Sequence, residues 1–201
     1  MAVKRALSVS DIRKYKPVEL NFTGAWKASI GTPELCGTWL IWGNSANGKT
    51  RFALQLAKYL TNFRHVAYNS LEEGLSKSMQ EAIIATGLDK NFVLLDKETV
   101  EDMIHRLRKR RSPDVIFIDS LQYTGLNYNQ YKELRREFPH KLFIFISHAE
   151  GNEPKGNVAR SIKYDAFVKI PVIGYAAYPQ SRYGGGEKYV VWQYGFEKFN
   201  I

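Results

Sequence analysis

The residues able to do chemistry in this sequence fall in three short segments. The first is Gly43-Asn44-Ser45-Ala46-Asn47-Gly48-Lys49-Thr50, which meets the spacing G-x-x-x-x-G-K-[ST] in full. Glycines in such a loop let the backbone curl until successive N–H groups point at one anion, and a following helix adds the positive end of its dipole. A lysine at the seventh position neutralises the β- and γ-phosphates of a nucleoside triphosphate, and a hydroxyl at the eighth is a ligand for Mg²⁺. The expected phosphate-binding residues are Gly43, Asn44, Ser45, Ala46, Asn47, Gly48, Lys49, Thr50 and Arg51, with ATP and Mg²⁺ as cofactors. The bland alternative, a glycine turn before a basic helix start, does not call for a strand in front and a helix behind.

The second segment is the apolar run 115–118 closed by Asp119. An aspartate ending a buried strand sits at the carboxyl edge of a sheet, where α/β folds bind ligands, and can hold the metal with Thr50. The competing reading is a strand-terminal cap for the next segment. The third is the pair Glu72 and Glu73, just after a strand expected at 65–69. A carboxylate at that edge can orient water toward a γ-phosphate. Two glutamates opening a helix also serve as charges that complement its dipole.

These segments need a scaffold that brings them to one edge. Strand-like segments at 38–42, 65–69 and 92–95 and continuous apolar runs at 115–118 and 142–146 alternate with helix-length stretches at 52–60, 75–85 and 100–109. Continuous apolar strands separated by helices indicate an α/β fold with a mostly parallel sheet covered on both faces. Segments 167–173 and 189–194 look strand-like without a helix between them and predict antiparallel strands at one edge. The glycines at 184–186 read as a hairpin turn. Residues 1–36 hold a short helix near 10–15 and an irregular stretch, and are expected to be an arm or lid ahead of the main domain, 37–201. A disordered tail is the alternative, against which Phe22 and Trp26 argue.

The 201 residues suit one core, and 44% hydrophobic with 24% charged residues excludes a disordered, collagenous or coiled-coil class. Lys and Arg exceed Asp and Glu by 29 to 20, and a charge of +9 suits a polyanionic partner. One cysteine, Cys36, excludes an internal disulfide, and four scattered histidines provide no structural zinc spacing. No run approaches the ~20 apolar residues of a membrane span, and the first nine residues do not read as a leader. A cytoplasmic protein is expected.

Taken together, the motifs resemble the RecA-like branch of P-loop ATPases, which includes RecA recombinases, DnaB-type helicases and Sms-type RadA proteins, over roughly 38–194. Tyr68-Asn69-Ser70-Leu71-Glu72-Glu73 is similar to the family's strand-plus-glutamate segment, which implies Glu72 as the catalytic carboxylate and Glu73 as its substitute. Ile118-Asp119-Ser120-Leu121-Gln122 resembles the Walker B segment of DnaB and RadA proteins. Ile146-Ser147-His148, followed by Gly156 and Tyr164-Asp165-Ala166, is similar to the RadA stretch where a polar sensor ends a central strand. That likeness implies that strand 142–146 lies between the loop strand and the Asp119 strand, with His148 as γ-phosphate sensor; a surface histidine is the alternative. Gln180-Ser181-Arg182-Tyr183-Gly184 with Gly186 resembles the K-x-R-x-G-x-x-G hairpin that reaches an adjacent subunit's ATP, with Gln180 in the lysine's place and Lys188 as the nearest substitute. The resemblance thus implies a homo-oligomer, ring or filament, with Arg182 acting in trans; a solvated hairpin arginine is the other reading. The whole chain also resembles small stand-alone ATPases of phages and mobile elements, judged by 154–156 and the aromatic C-terminal region.

By the same resemblance the loops after the Asp119 strand and after the sensor strand, 123–131 and 149–160, face DNA, which implies nucleic-acid contacts by Tyr123, Tyr128, Lys155 and Arg160, single strands favoured. Aromatic faces beside cations are the chemistry of sequence-tolerant single-strand binding. Tyrosines packed on the domain are the competing reading. The basic run Arg106-Leu107-Arg108-Lys109-Arg110-Arg111 ends a helix and reads first as a solvated helix end. The expected function is an oligomeric Mg-ATPase that couples its nucleotide state to DNA binding or movement in replication or recombination. The alternative is an assembly or loading factor acting on a replication, recombination or packaging protein. A small-molecule kinase is disfavoured by the glutamate segment and by the lack of an arginine-rich lid.

Overall fold

The computed structural model describes residues 5–199. The expectations for the first four residues, within the arm, and for the last two, within the main domain, lie outside the described residues. Two short helices, α1 (Val9–Lys14) and α2 (Gly24–Ile30), precede β1 (Gly37–Gly43) and α3 (Lys49–Leu60). Then come β2 (Val66–Ser70), α4 (Lys77–Thr86), β3 (Phe92–Asp96), α5 (Val100–Leu107) and β4 (Val115–Asp119). A single 3₁₀ turn (Leu121–Tyr123) leads into α6 (Tyr128–Glu137), β5 (Leu142–Glu150), β6 (Glu153–Pro154), α7 (Asn157–Asp165) and β7 (Val168–Ile173). The chain ends with β8 (Ala176–Ala177), β9 (Gln180–Ser181), β10 (Tyr189–Val190) and α8 (Gln193–Phe199).

The sheet order is β10-β8-β7-β1-β5-β4-β2-β3, with β6 on β5 and β9 on β7. Strands β7, β1, β5, β4, β2 and β3 are mutually parallel. As expected, β5 stands between the glycine-loop strand and the Asp119 strand. The strands β1, β2 and β4 are buried at every residue because both faces are covered. Trp39, Ile41, Tyr68, Phe117 and Ile144 face α3, α4 and the segment bearing Leu20, Phe22 and Ile30. Leu40, Ala67, Ile116, Phe143 and Phe145 face α5, α6 and α7 through Met103, Tyr131, Leu134 and Ile162. Neighbouring residues thus serve opposite layers, the period-two geometry of a pleated strand.

Three local expectations change. β7 is parallel to β1, not antiparallel, because α7 supplies a crossover between β5 and β7 in a stretch taken for loop. Antiparallel pairing begins only at β8, β9 and β10. The strand expected at 189–194 ends at Val190 and gives way to α8, where Phe196 N–H donates to Trp192 C=O.

At the N-terminus, Leu7, Val9, Ile12 and Tyr15 are exposed and α1 buries no residue. From Leu20 onward the chain enters the core, and Trp26 stacks between Tyr59 and Tyr189 with ring centroids 5.3 and 4.3 Å away. This stack ties residues before β1 to α3 and to the C-terminal strands.

Candidate active site

The glycine loop joins β1 to α3 and is held from the side by the turn after β7. The Asn47 side-chain carbonyl accepts Gly174 N–H at 2.7 Å, and its main-chain carbonyl accepts Tyr175 N–H at 3.1 Å. Gly43 meets β7 closely: a Cβ there would lie 2.2 Å from the Val172 carbonyl oxygen. Gly48 has φ of 90°, a left-handed conformation that glycine adopts freely, and α3 starts directly after it with no side-chain cap. The first amides of that twelve-residue helix are therefore open to an anion. Lys49 folds back over the loop, its Nζ donating to Asn44 C=O at 2.8 Å, and burial lowers its pKa against the opposing pull of Asp119 and Glu72.

Asp119 ends β4 almost fully buried and accepts a 2.5 Å hydrogen bond from the Tyr68 hydroxyl, which rises from β2 beneath it. Burial pushes Asp119 up to about 6, with the Tyr68 bond and Lys49 working against that rise and Glu72 reinforcing it. The Tyr68 phenol is raised well above its ordinary value by burial and by the same aspartate, so it stays a donor. Beside Asp119, Ser120 Oγ donates to Glu72 Oε2 at 3.2 Å, and His148 Nε2 lies 3.2 Å from the same oxygen. Glu73 also lines the cleft, but its carboxylate accepts the Ser76 and Ser78 hydroxyls at the start of α4. Gln122 braces the end of β5, donating to Ser147 Oγ at 2.8 Å and to Lys155 C=O at 3.0 Å while accepting His148 N–H at 3.2 Å.

Glycine loop, Thr50, Glu72, Asp119, Ser120, His148 and Tyr175 line one cleft of about 530 Å³ at the carboxyl edge of the sheet. That volume lies in the range of small-ligand and cofactor sites. The donor set fits a Mg²⁺–triphosphate. One hydroxyl and one carboxylate share the cleft with open loop amides, and Mg²⁺ characteristically takes one or two protein oxygens plus phosphates and waters. Among the described residues no group of three or more His, Cys, Asp or Glu could hold a metal by itself.

The remaining sequence-derived site residues lie elsewhere. Arg182 stands at the amino edge, its N–H donating to Phe167 C=O and its guanidinium 4.9 Å above the Phe167 ring. Seven residues of extended chain separate that level from the glycine loop, roughly 20 Å. Tyr123 is exposed at the end of the 3₁₀ turn and lines a separate groove between α5 and α6. Tyr128 is not on a loop but in the first turn of α6, donating to Asp165 Oδ2 at 2.8 Å and stacking on the buried Tyr131. Arg160 sits on α7 and pairs with Glu150 at 2.7 Å, while Lys155 leaves its side chain exposed on the turn after β6.

Sequence reasoning missed Tyr68, Ser120 and Tyr175 as parts of this site. Tyr68 had only a weak signal, a phenol within a strand-like segment, and its pairing in register with Phe117, two residues before Asp119, belongs to the fold. Tyr175 had none, because only the β7–β8 turn brings its ring against Gly48.

No protein-family model matches the sequence, and no curated protein matches it. Solved structures do resemble the fold. The KaiC-like protein PH0186 from the hyperthermophilic archaeon Pyrococcus horikoshii OT3 superposes with a TM-score of 0.64 at 18% identity, over 87% of this chain and 93% of that one. The flagellar accessory protein FlaH from Methanocaldococcus jannaschii does so at 0.52 and 16% identity, over 78% and 80%. A third structure, an ATPase domain, gives 0.53 and 18%, over 77% and 80%. The fold is that of the RecA-like P-loop ATPases.

Proposed function

We propose that this chain binds Mg²⁺–ATP and hydrolyses it, assembles as a homo-oligomeric ring or filament in the cytoplasm, and couples its nucleotide state to DNA, single strands favoured. The observation that carries the reading is the single cleft shared by Lys49, Thr50, Glu72 and Asp119 at the end of a complete phosphate-binding loop. In this mechanism the loop amides and Lys49 bind the triphosphate, and Thr50 with Asp119 would hold Mg²⁺. The metal, when bound, neutralises charge that develops on the phosphate oxygens. Glu72 orients the attacking water and takes up its proton as water oxygen bonds to the γ-phosphorus and the bond to the bridging oxygen of ADP breaks. Ser120 and His148 hold the Glu72 carboxylate on one side of the cleft. A γ-phosphate beside His148 competes for the same imidazole, the chemistry of a sensor. Arg182, too far from its own loop, would complete a neighbour's site.

The test is steady-state ATP hydrolysis without nucleic acid, with single-stranded DNA and with duplex DNA, using Lys49→Ala as blank. Stimulation by DNA that is lost in the blank supports the reading; a Lys49→Ala rate equal to the unmodified protein's refutes it. One observation favours a second reading, an ATP-driven assembly or loading factor for a protein partner. Tyr128 and Arg160, two of the four residues expected to touch nucleic acid, are engaged within the fold. Hydrolysis indifferent to DNA but stimulated by a replication, recombination or packaging protein would select it. Among the described residues no helix is long and apolar enough to cross a membrane.

A further inference from the structure

The basic run after α5 has a division of labour that its sequence does not reveal. Arg106 pairs with Glu98, and Arg108 makes a two-pronged pair with Glu137 at 2.6 and 3.1 Å. Those two arginines fasten α5 to its surroundings. Among the described residues, no carboxylate pairs with the next three cations, Lys109, Arg110 and Arg111, all of them exposed.

The turn presenting them is built. Ser112 Oγ donates to Leu107 C=O at 2.8 Å, closing the end of α5. Lys141 then donates to Ser112 Oγ and to Pro113 C=O at 3.0 and 2.6 Å and fixes the turn from the β5 side. Arg111 has φ of 63°, a left-handed conformation at the third position of the turn that Ser112 N–H closes on Lys109 C=O, where glycine is the favoured residue. A side chain there costs about 1 kcal/mol relative to glycine, so the turn geometry gives no reason for an arginine. With His65 at the foot of β2 and Arg106 and Ser112 alongside, the three cations line a concavity of about 240 Å³ that no acidic residue enters.

We propose that this concavity is a second anion site of the molecule and that it holds the phosphodiester backbone of a nucleic acid. Guanidinium forks match phosphate oxygens two at a time, and three adjacent cations match successive phosphates along a strand. No Phe, Tyr or Trp lines the concavity to stack a base, and its three cations address phosphate oxygens, which carry no sequence information, so binding is independent of sequence. The wall also lacks the aromatic or long apolar side chains that insert into a lipid surface. Because it lies at the amino edge, about 20 Å along β2 from Glu72, it is separate from the nucleotide cleft and acts without ATP.

The test is binding of a labelled single-stranded oligonucleotide to the full chain without nucleotide, followed by anisotropy from about 50 to 200 mM salt. Three phosphate contacts predict that Lys109→Gln/Arg110→Gln/Arg111→Gln flattens the log–log salt slope by about 2, at about 0.7 per contact. Arg111→Gly should lower the slope by about 0.7 with no loss of thermal stability, since glycine relaxes the left-handed position. It therefore separates a lost contact from a misfolded turn. The DNA-free ATP hydrolysis rate of either variant should equal that of the unmodified protein. An unchanged slope in the triple variant overturns the proposal. So does loss of binding to phosphatidylserine vesicles with oligonucleotide binding intact, or competition by polyglutamate as effective as by the oligonucleotide. Since no nucleotide is present, the outcome is independent of whether the cleft hydrolyses ATP.

Discussion

Glu72 and Asp119 stand in one cleft but in opposite physical situations. Glu72 is partly exposed and held by Ser120 and His148, whereas Asp119 is buried over Tyr68. Replacing Glu72 with Gln keeps the shape and removes the base, so hydrolysis should fall about 10²- to 10⁴-fold while binding of a fluorescent ATP analogue persists. Loss of binding in that variant would mean that Glu72 serves the loop and not the water. For Asp119 the pKa of about 6 lies above the ordinary 3.8, and burial is the main cause. A carboxyl raised by folding contributes stability that is fully present below the ordinary value and is lost as pH rises through the folded one. The nucleotide-free protein should therefore lose stability between pH 3.8 and about 6 on this account, by an amount on the order of 2–3 kcal/mol. Asp119→Asn removes the buried charge and keeps an acceptor for Tyr68. Its melting temperature should exceed that of the unmodified protein by more at pH 8 than at pH 4, and an equal gap at both would contradict the buried charge.

At the scale of elements, the loop works because its two flanking elements and the β7–β8 turn converge on it. Gly43→Ala would drive a methyl to 2.2 Å from a main-chain oxygen of β7, which no side-chain rotation relieves. A loss of about 1–3 kcal/mol in urea unfolding is expected, with weakened nucleotide binding because the loop's first residue moves. The segment before β1 divides in the same physical terms. Leu7, Val9, Ile12 and Tyr15 are exposed, whereas Leu20, Phe22 and Ile30 are buried in the layer that covers the sheet. Removing residues 1–18 should leave the melting temperature within about 4 °C, and removing 1–36 should leave no soluble folded protein. If the longer deletion folded, residues 19–36 would be an appendage and not a part of the core.

For the molecule as a whole, the position of Arg182 at the edge opposite its own loop carries the oligomeric reading. Under that reading Lys49→Ala and Arg182→Ala are each inactive alone. Mixed in equal amounts, they should recover about a quarter of the rate, since a competent site needs an intact loop from one chain and an arginine from the next. No recovery on mixing would point to a finger supplied from elsewhere or to none. The sequence by itself determined the loop, its lysine and hydroxyl, the strand-ending aspartate and the alternation that makes a parallel sheet. Each of these is a local pattern: Gly48 needs no partner to take a positive φ, and 115–118 is apolar whichever strand it joins. Tertiary structure decided what distant segments do to one another. α7 turned β7 parallel, Tyr68 came to rest under Asp119, Glu72 met His148 while Glu73 turned to Ser76, and Tyr128 closed on Asp165. It also decided which cations of one basic run are consumed by carboxylates 8 and 29 residues away and which are left facing solvent. Charge and burial depend on neighbours that the fold chooses, and spacing along the chain does not carry that information.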